Sequence, residues 1–484
     1  MAIPDHPWMK SADKAAVRIA MTVGKAGACQ GQLKTVTNES DLNTDAPKVV
    51  LTTHEGKIHA DFTIGPDLTS CSALKANDKL CSRGVSLHGS GFIVTPEQAV
   101  GLGLGKITGL ENHIRPYRNG RDLASQPRNV MVIDLFGLTA EEVQDQFPAV
   151  YQWVADRVKP ERDQNNRATY RDNWWIFGEP RKDLRPALKG LPRYIATIET
   201  AKHRFFQFLD SSILADNMLV SIAVEDSFFV GIFSSSPHQV WYQGNAGKLG
   251  VYERNSRYTK TLCFDPFPLP NATDKQKAGI RELGERLDKH RKDVMAQHKQ
   301  LTMTGMYNVL EKVRAKEPLS DAENDVYEAG LIGVLKSIHD DLDAAVTEVY
   351  GWPTDLSDDE ILERLVALNH ERAVEEAEGN VRWLRPEFQA PKEAVATKKG
   401  QQIEAALLLP EEGAKKPKLP TKLPEQVAAI RAMLETEETA ITATHLSRRF
   451  AQGKRAEKKV QDVLTTLCLL GQAEKTDAGF VLGG

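Results

Sequence analysis

A segment rich in proline and alternating charge divides this 484-residue chain near its C-terminal end. The run EEGAKKPKLPTKLPEQ holds three prolines and charges of both signs, a composition typical of an extended linker. We therefore expect residues 391–423 to separate two packed parts of the chain. After this linker, residues 424–484 carry three helical patterns and a terminal hairpin pattern, which together predict a C-terminal winged-helix-like domain.

Before the linker, strand-like and helix-like patterns alternate, which predicts an α+β fold. The run NVMVIDLFG is typical of a buried strand, and AEEVQDQFPAVYQWVADRVKP predicts one amphipathic helix that ends at Pro160. A glycine-containing turn at 54–57 predicts a hairpin. Thr95 and Thr273 are expected to cap helices. We divide this part into lead-in strands at 1–110, a mixed-sheet domain at 111–270 and a helical spacer at 271–390.

The composition argues against a secreted or membrane protein. No run approaches the roughly 18 apolar residues that a membrane helix needs, and MAIPDHPWMK lacks the apolar core of a signal peptide. The five cysteines are scattered and odd in number, which suits a reduced cytoplasm. Cys71, Cys81 and His88 are too loosely spaced to predict a metal site, so we expect buried thiols there.

The net charge of −4 hides a strong segregation of sign along the chain. Residues 157–204 hold 12 Lys and Arg against 6 Asp and Glu, whereas residues 319–390 hold 5 against 18. Because local charge decides where an anion docks, the first region is a candidate surface for a polyanion.

A search for catalytic motifs finds no complete active site, and no catalytic residue is assigned. The run VGLGLGK follows a helix-like segment rather than a strand, so its glycines are poorly placed to bind a nucleotide phosphate. Asp265-Pro266-Phe267-Pro268 is similar to the loop with which amino methyltransferases hold a flipped base. Here the second proline falls after Phe267, and we interpret the run as a stiff connector.

The stretch ATYRDNWWIFGEPRKDLR, residues 168–185, combines basic and aromatic side chains. Lysine and arginine bind DNA by neutralising phosphates. The candidates for DNA-backbone contact in and just before this stretch are Arg162, Arg167, Arg171, Arg181, Lys182 and Arg185. At most one of Trp174 and Trp175 is expected to face DNA if the segment is a strand, and core packing is the alternative for each.

A second polar stretch, NAGKLGVYERNSRYTK, supplies side chains suited to reading bases. Arginine pairs with guanine, asparagine with adenine, and glutamate accepts from cytosine. The candidates for base readout are Glu253, Arg254, Asn255 and Arg257, with Lys260 on the DNA backbone. The alternative is a solvated hairpin with internal Glu–Arg pairs.

A third stretch, HIRPYRNGRDL, adds Arg118 and Arg121 as candidate DNA-backbone contacts. A turn at Asn119-Gly120 is expected to project these arginines. The alternative is that Asp122 pairs with one of them.

Seven segments in order resemble a known family: AIPDHPW, GFIVTPEQA, HIRPYRNGRDL, PRNVMVIDLFGL, YRDNWWIFGEPR, RYIATIETAKHRF and CFDPFPLP. They resemble the C-terminal half of adenine-specific class I DNA methyltransferases, in particular MmeI-like restriction–modification enzymes and phage-defence methyltransferases. The resemblance implies that residues 1–110 include a remnant of the methyltransferase fold and that 111–270 form a DNA target-recognition domain. The family's cofactor loop and Asn-Pro-Pro motif would precede Met1 and are not in this sequence.

The resemblance implies a sequence-recognition subunit or fragment that positions double-stranded DNA for an adenine methyltransferase. S-adenosyl-L-methionine would bind the complete enzyme, and a catalytic subunit carrying the missing motifs would be a partner. Two alternatives stay open. One is a scaffold that docks proteins in a defence complex, and the other is a complete methyltransferase with unrecognised motifs.

Overall fold

A computed structural model describes residues 1–8, 18–27, 30–42, 44, 47–59, 62–245, 247–248, 256–391, 418–420, 422–435, 441–469, 472–476 and 479–482. The chain divides into two compact units, Met1–Leu384 and Arg385–Gly484. Small mixed sheets and many helices make up the structure, which confirms the predicted α+β class.

The strands of the first unit are short. They are β1 (Ala2–Pro7), β2 (Arg18–Thr22), β3 (Gly31–Ser40), β4 (Lys48–Gly56), β5 (Cys81–Arg83), β6 (Ile93–Val94), β7 (Ile114–Arg118), β8 (Met131–Ile133), β9 (Arg193–Ile198), β10 (Thr200–Ala201), β11 (Gln207–Asp210), β12 (Leu214–Ala215), β13 (Leu219–Ile222), β14 (Gly247–Lys248) and β15 (Ser256–Arg257).

The helices of the first unit are α1 (Pro96–Gly101), α2 (Gly120–Ala124), α3 (Ala140–Gln146), α4 (Pro148–Arg157), α5 (Lys159–Asp163), α6 (Ala168–Asp172), α7 (Leu184–Leu188), α8 (Ser227–Ser234), α9 (Ser236–Asn245), α10 (Asp274–Gln297), α11 (Met303–Ala315), α12 (Asp321–Ala329), α13 (Ile332–Tyr350) and α14 (Asp358–Ala377). Short 3-10 turns lie at Leu68–Ser70, Lys75–Asn77, Ser90–Phe92 and Leu110–Asn112, and a π-helical turn lies at Lys260–Phe264.

The N-terminal sheet has the order β2-β1-β3-β4. Strand β1 is antiparallel to β2 and parallel to β3, and β3 pairs antiparallel with β4 from Gly31↔Gly56 to Ser40↔Lys48. The predicted hairpin at 54–57 is therefore wrong. Residues up to Gly56 continue one strand, and the antiparallel partner precedes that strand in the sequence.

Two four-stranded sheets form the centre of the first unit, in the orders β11-β9-β13-β5 and β12-β7-β8-β6. Each sheet combines a strand before residue 110 with strands after it. The predicted strand in NVMVIDLFG is confirmed as β8, and Val132 and Ile133 are fully buried. A core of aliphatic and aromatic side chains, including Phe92, Val132 and Val154, packs around the second of these sheets.

The helix predicted to end at Pro160 is three helices. Phe147 interrupts the pattern, and Pro148 begins α4 because proline is suited to the first turn of a helix. Pro160 likewise lies in the first turn of α5 instead of ending a helix. The predicted caps are confirmed, since Thr95 and Thr273 each form a capping box, with Gln98 and Gln276.

Helices α8 to α14 pack into a helical layer. Every residue of α8 is buried, and α10 crosses it at Gly284, where an added Cβ would lie 2.3 Å from the Ser227 carbonyl oxygen. A side chain at this position would therefore force the two helices apart. The predicted domain boundaries at 110, 270, 390 and 423 remain predictions.

The second unit contains α15 (Pro386–Gln389), α16 (Leu423–Glu435), α17 (Ala443–Ser447), a 3-10 turn (Gly453–Ala456), α18 (Glu457–Leu469), β16 (Ala473–Thr476) and β17 (Gly479–Leu482). Strands β16 and β17 pair antiparallel, and Ile441 bridges to Phe480. Helices α16 to α18 and the hairpin share one apolar core, which includes Ile430, Leu446 and Leu464.

Candidate nucleic-acid interface

The basic-aromatic stretch at 168–185 buries four side chains in the first unit: Tyr170, Trp174, Phe177 and Leu184. It begins with α6 and forms no strand, so the two tryptophans do not alternate between faces. Trp174 is 8% exposed and packs edge-on against Trp175, whose Nε1 donates to the Leu138 carbonyl at 2.9 Å. The core-packing alternative is therefore the observed one for Trp174, and Trp175 is half-buried beside it.

Arg162 does not contact DNA phosphate, because it is a core residue that is 1% exposed. Its guanidinium donates to the carbonyls of His88 at 2.7 Å, Leu87 at 2.9 Å and Ile176 at 3.0 Å. It also lies over the rings of Phe92 and Tyr170. Burial lowers the pKa of Arg162 from its ordinary value. This burial contradicts the predicted backbone contact, and the hydrogen bonds tie α5 to residues 87–88, between β5 and β6.

The other basic residues of the stretch differ in how firmly they are held. Arg181 donates from Nε to the Gly84 carbonyl at 2.9 Å and pairs with Glu179 at 2.6 Å. Arg185 is bidentate to buried Asp134.

Arg167 and Arg171 are bonded locally, and Lys182 is less constrained. Arg167 is exposed and donates to the Tyr170 hydroxyl at 2.9 Å, while Arg171 donates to the Asn165 carbonyl at 2.6 Å. Lys182 is exposed and forms no ion pair with any described residue. A phosphate contact at Arg167, Arg171, Arg181 or Lys182 stays a prediction.

The turn in HIRPYRNGRDL forms as expected and starts α2. The Asn119 side chain accepts from the backbone N–H groups of Arg121 and Asp122, which leaves the Arg121 side chain exposed. Asp122 pairs with Arg128 at 2.8 Å, so the alternative that it neutralises Arg118 or Arg121 is wrong. Burial would raise the pKa of Asp122, but hydrogen bonds from Arg128 outweigh it and the pKa is lowered.

Arg118 is held only by long contacts. It donates at 3.3 Å to the Tyr117 carbonyl and at 3.3 Å to Asn129 Oδ1. Its side chain lines a cavity of about 330 Å³ between α2 and α10, with Leu123, Phe208 and Met295. Both Arg118 and Arg121 therefore keep donors for a phosphate.

The second polar stretch is mounted on a small antiparallel sheet, ordered β10-β15-β14. Gly247 pairs with Arg257 and Lys248 with Ser256, so the connection between β14 and β15 leaves and returns at adjacent points. Glu253, Arg254 and Asn255 lie in this connection, outside the described residues. Their assignment to base readout stays a prediction.

Arg257, at the foot of this connection, is fixed by an acidic residue that the sequence analysis did not identify. Glu199 is 3% exposed, and its Oε1 accepts from Arg257 Nε at 2.8 Å. Its other oxygen, Oε2, accepts from Arg83 Nη2 at 2.6 Å. The signal for Glu199 is weak in the sequence, being a single acid at the end of the buried-strand pattern YIATIE.

Arg204 is a buried residue that donates hydrogen bonds to the same sheet. It is 6% exposed, its Nη2 donates to the Tyr242 hydroxyl at 3.0 Å and to the Ser256 carbonyl at 3.2 Å, and its guanidinium lies over the rings of Tyr242 and Tyr258. The Tyr258 N–H donates to the Glu199 carbonyl at 2.7 Å. These contacts fix the backbone on both sides of Arg257, at Ser256 and Tyr258.

Lys260, predicted to contact the DNA backbone, lies in the π-helical turn that follows. Its Nζ is 3.3 Å from Asp265 Oδ2. Burial raises the pKa of Asp265 to about 6, although Lys260 acts to lower it. The lysine is half-exposed, and its phosphate contact stays a prediction.

The run Asp265-Pro266-Phe267-Pro268 is a buried connector, as interpreted from its proline spacing. Phe267 is 1% exposed and contacts His238 edge-on, so it has no free face to stack on a base. The Asn77 amide lies within 3.0 Å of the carbonyl oxygens of Phe264, Asp265 and Phe267. Asn369 donates to the Pro266 carbonyl at 2.6 Å. Two asparagine side chains thus hold the backbone of this run.

The glycine-rich run after α1 does not suit S-adenosyl-L-methionine. It follows a helix, and Leu102 packs in the core. Gly103 has φ +106°, and Ile107 lies so near that an added Cβ would be 2.5 Å from its Cδ1. The run thus folds back on itself and does not form a cofactor loop.

Within the described residues, no three His, Cys, Asp or Glu side chains gather closely enough to hold a metal ion.

In the same part of the chain, every helix is too short or too polar to cross a lipid bilayer.

Comparison with known proteins places this fold beside a class of DNA-modifying enzymes. No family profile matches the chain. DNA methyltransferase A of Bacillus subtilis (strain 168) is 24% identical over 159 residues, which are 33% of this chain and 15% of that protein. The fold is similar to that of the Type IIL restriction–modification enzyme MmeI, solved in complex with DNA. The TM-score is 0.55 at 17% identity, over 77% of this chain and 46% of that one. The chain thus spans less than half the length of either protein.

Proposed function

We propose that this chain is the DNA sequence-recognition subunit or fragment of an N6-adenine DNA methyltransferase in a restriction–modification or phage-defence system. It would position double-stranded DNA in the cytoplasm for a catalytic half that flips the adenine and methylates its exocyclic amine. That half would carry S-adenosyl-L-methionine and the Asn-Pro-Pro motif, because neither the glycine-rich run after α1 nor the buried run at 265–268 suits these roles.

The observation that carries this proposal is the fold shared with MmeI over 77% of the chain. The segment that would read bases also supports the proposal. Paired strands β14 and β15 hold the two ends of the 249–255 connection next to each other, and Arg257 in β15 pairs with the buried carboxylate of Glu199. A fixed guanidinium suits bidentate pairing with guanine O6 and N7.

The second unit supports a role at DNA as well. The order of α16, the Ile441 bridge, α17, α18 and the β16–β17 hairpin suits a winged helix, a fold that often places a helix in the major groove. We therefore propose a winged helix for this unit.

Binding of the purified chain to labelled duplex DNA across a salt series tests the proposal. We expect measurable affinity at low salt, with log K falling steeply against log[salt] because phosphates release counterions. Selection from a random duplex pool should then return one enriched site, and the site should contain an adenine. A chain that binds no duplex at any salt concentration, alone or with a co-purified methyltransferase subunit, contradicts the proposal.

Two other functions have their own observable outcomes. The acidic stretch at 319–390, which holds 18 Asp and Glu against 5 Lys and Arg, suits a protein-docking scaffold. Partner capture that survives nuclease, without affinity for duplex DNA, would favour that function. Transfer of labelled methyl groups by the pure chain alone would favour a complete methyltransferase.

A further inference from the structure

Two arginines pair with the carboxylate of Glu199 beside the β10-β15-β14 sheet, and a third arginine donates to the Glu199 backbone carbonyl. Arg83 at the end of β5, Glu199 between β9 and β10, Arg257 in β15 and buried Arg204 meet there. We call these four residues the Glu199 cluster. Glu199 is its one carboxylate among the described residues, so the cluster carries a surplus of positive charge.

The carboxylate of Glu199 pairs with both surface arginines, with Arg257 through two nitrogens and with Arg83 through one. Oε2 lies 2.6 Å from Arg83 Nη2, and Oε1 lies 2.7 Å from Arg257 Nη2. The Glu199 side chain is 4% exposed, whereas those of Arg83 and Arg257 are 38% and 42% exposed. A buried carboxylate is costly unless it is paired, so both guanidiniums are strongly held at the surface.

The orientation of the two guanidiniums leaves donors facing outward. Arg83 also donates from Nε to the Asn217 carbonyl at 3.0 Å, and Arg257 donates from Nε to Glu199. The Nε and Nη2 edge of each arginine therefore faces the cluster. The Nη1 group of each makes no hydrogen bond to any described residue. Arginine has five N–H donors, so each keeps several for an external acceptor.

Arg204 adds a positive charge to the Glu199 cluster, and its own hydrogen-bond partners are neutral. Its donors go to the carbonyls of Ile198, Glu199 and Ser256 and to the Tyr242 hydroxyl. Three guanidiniums against one carboxylate leave an excess of two positive charges (3 − 1) within one cluster. An anion with several acceptor oxygens matches this surface, and a phosphodiester has that chemistry.

We propose that Arg83 binds a DNA phosphate next to the base that Arg257 approaches, and that Glu199 is the positioning residue for both arginines. This inference rests on the proposed function, since it names a further contact at the same DNA surface. Arg83 thereby sets the register of the duplex, and Arg257 reads one base within it.

The test compares Arg83→Gln with Arg281→Gln in the full chain. Arg281 is a matched control, because its side chain is 44% exposed and paired with Asp226 at 2.7 Å, on α10. The probes are a duplex that the wild-type chain selects from a random pool and a scrambled duplex of the same composition. We expect R83Q to reduce the salt slope by about 0.9 and to weaken both duplexes alike, as loss of one phosphate contact does. R281Q should leave both unchanged.

Two further variants separate a positioning role from simple charge. Glu199→Gln makes the chain one charge more positive, so electrostatics alone would tighten binding to both duplexes. We expect instead that discrimination between the selected and scrambled duplexes falls at least tenfold, because neither arginine is held. Arg83→Lys keeps the charge, and it should keep most of the salt slope.

The outcomes distinguish the inference from the proposed function. A wild-type chain that selects a site, with an R83Q slope equal to that of wild type, overturns the role of Arg83 and leaves the proposed function standing. A wild-type chain that binds no duplex, alone or with a co-purified methyltransferase subunit, overturns both. If R83Q lowers the midpoint of thermal unfolding, the comparison is made at a temperature at which circular dichroism shows both chains folded. Methylphosphonate substitution at single positions then shows whether one phosphate matters to wild type and not to R83Q, and equal sensitivity overturns the inference.

Discussion

Arg162 donates a hydrogen bond from Nε to the carbonyl of His88 at 2.7 Å, at a position where the arginine is 1% exposed. This contact joins α5 to the segment between β5 and β6 and places a charged residue inside the first unit. Arg162 therefore stabilises the fold and is not a surface residue.

We predict that Arg162→Met lowers the free energy of unfolding by about 3 kcal/mol, because several buried carbonyls lose a charged donor. Chemical unfolding followed by circular dichroism measures this change. Arg167→Met is the control, since that side chain is exposed and its unfolding free energy should change by less than about 0.5 kcal/mol. Equal stabilities of the two variants would contradict the structural role.

The exposed cations should act on DNA affinity without affecting stability. We predict that Arg121→Ala and Lys182→Ala each reduce the salt slope by about 0.9, since the proposal gives each residue one phosphate contact. Fluorescence anisotropy with a labelled duplex at several salt concentrations measures the slope. Lys336→Ala, on α13 within the acidic stretch, is the matched control and should leave the slope unchanged. A slope that stays at the wild-type value removes the mutated residue from the interface.

The 249–255 connection should control sequence preference. We predict that the triple change of Glu253, Arg254 and Arg257 to Ala removes discrimination between selected and scrambled duplexes while much non-specific binding remains. Competition binding with the two duplexes measures the ratio. The charge-matched variant R254K/R257K should keep the salt slope and lose discrimination, because lysine lacks the bidentate fork. Unchanged discrimination in the triple variant would show that other residues read the site.

Phe267 and Asn77 should stabilise the folded state and should not bind a flipped base. We predict that Phe267→Ala costs about 3–5 kcal/mol of unfolding free energy, as loss of a buried aromatic ring does. Asn77→Ala should cost about 3 kcal/mol because the amide serves three carbonyls. Thermal and chemical unfolding measure both. An F267A chain of wild-type stability that blocks methylation by the assembled enzyme would instead identify a base-holding residue.

The buried His238 should make stability depend on pH. Burial lowers its pKa to about 3, while its Nδ1 and Nε2 contact the Phe233 carbonyl and the Tyr258 hydroxyl. The unfolded histidine has a pKa near 6.5, so between about pH 6.5 and pH 3 it is protonated whereas the folded histidine stays neutral. Its contribution to stability is therefore complete above about pH 6.5 and is lost as the pH falls towards 3, by at most about 1.4 kcal/mol per pH unit.

Urea unfolding of wild type and His238→Asn between pH 7 and 5 measures this effect. We expect the variant to be less stable at pH 7 and to show a flatter dependence on pH. The same slope in both proteins would place the acid sensitivity elsewhere, for example at His339, whose pKa burial also lowers.

Local signals were predictable from the sequence, because they depend on neighbours in the chain. Thr95 and Thr273 cap their helices through the Gln three residues later, and the apolar run at Met131–Ile133 is a strand. The proline spacing around Phe267 likewise favoured a stiff connector over a base-holding loop. Strand pairing was less predictable, since the partner of Lys48–Gly56 is a polar strand with little alternation.

The role of each arginine was the least predictable part, because charge alone does not show which side of the fold a residue faces. One signal for Arg162 was present. Val150, Val154 and Val158 are fully buried at intervals of four, and Arg162 continues that stripe. Glu199 carried no such signal, since its partners Arg83 and Arg257 are distant in sequence and meet it only through the sheet.

The contacts of Glu376 have a consequence for how the chain is made. Its Oε2 accepts from the Lys75 N–H, a bond between residues 301 positions apart, and its Oε1 accepts from the Ala76 N–H. At roughly 5–20 residues per second, a ribosome needs about 15–60 s to reach Glu376 after Lys75. During that interval residues 75–76 have no native carboxylate partner. The first unit thus completes its native contacts only after α14 has left the exit tunnel.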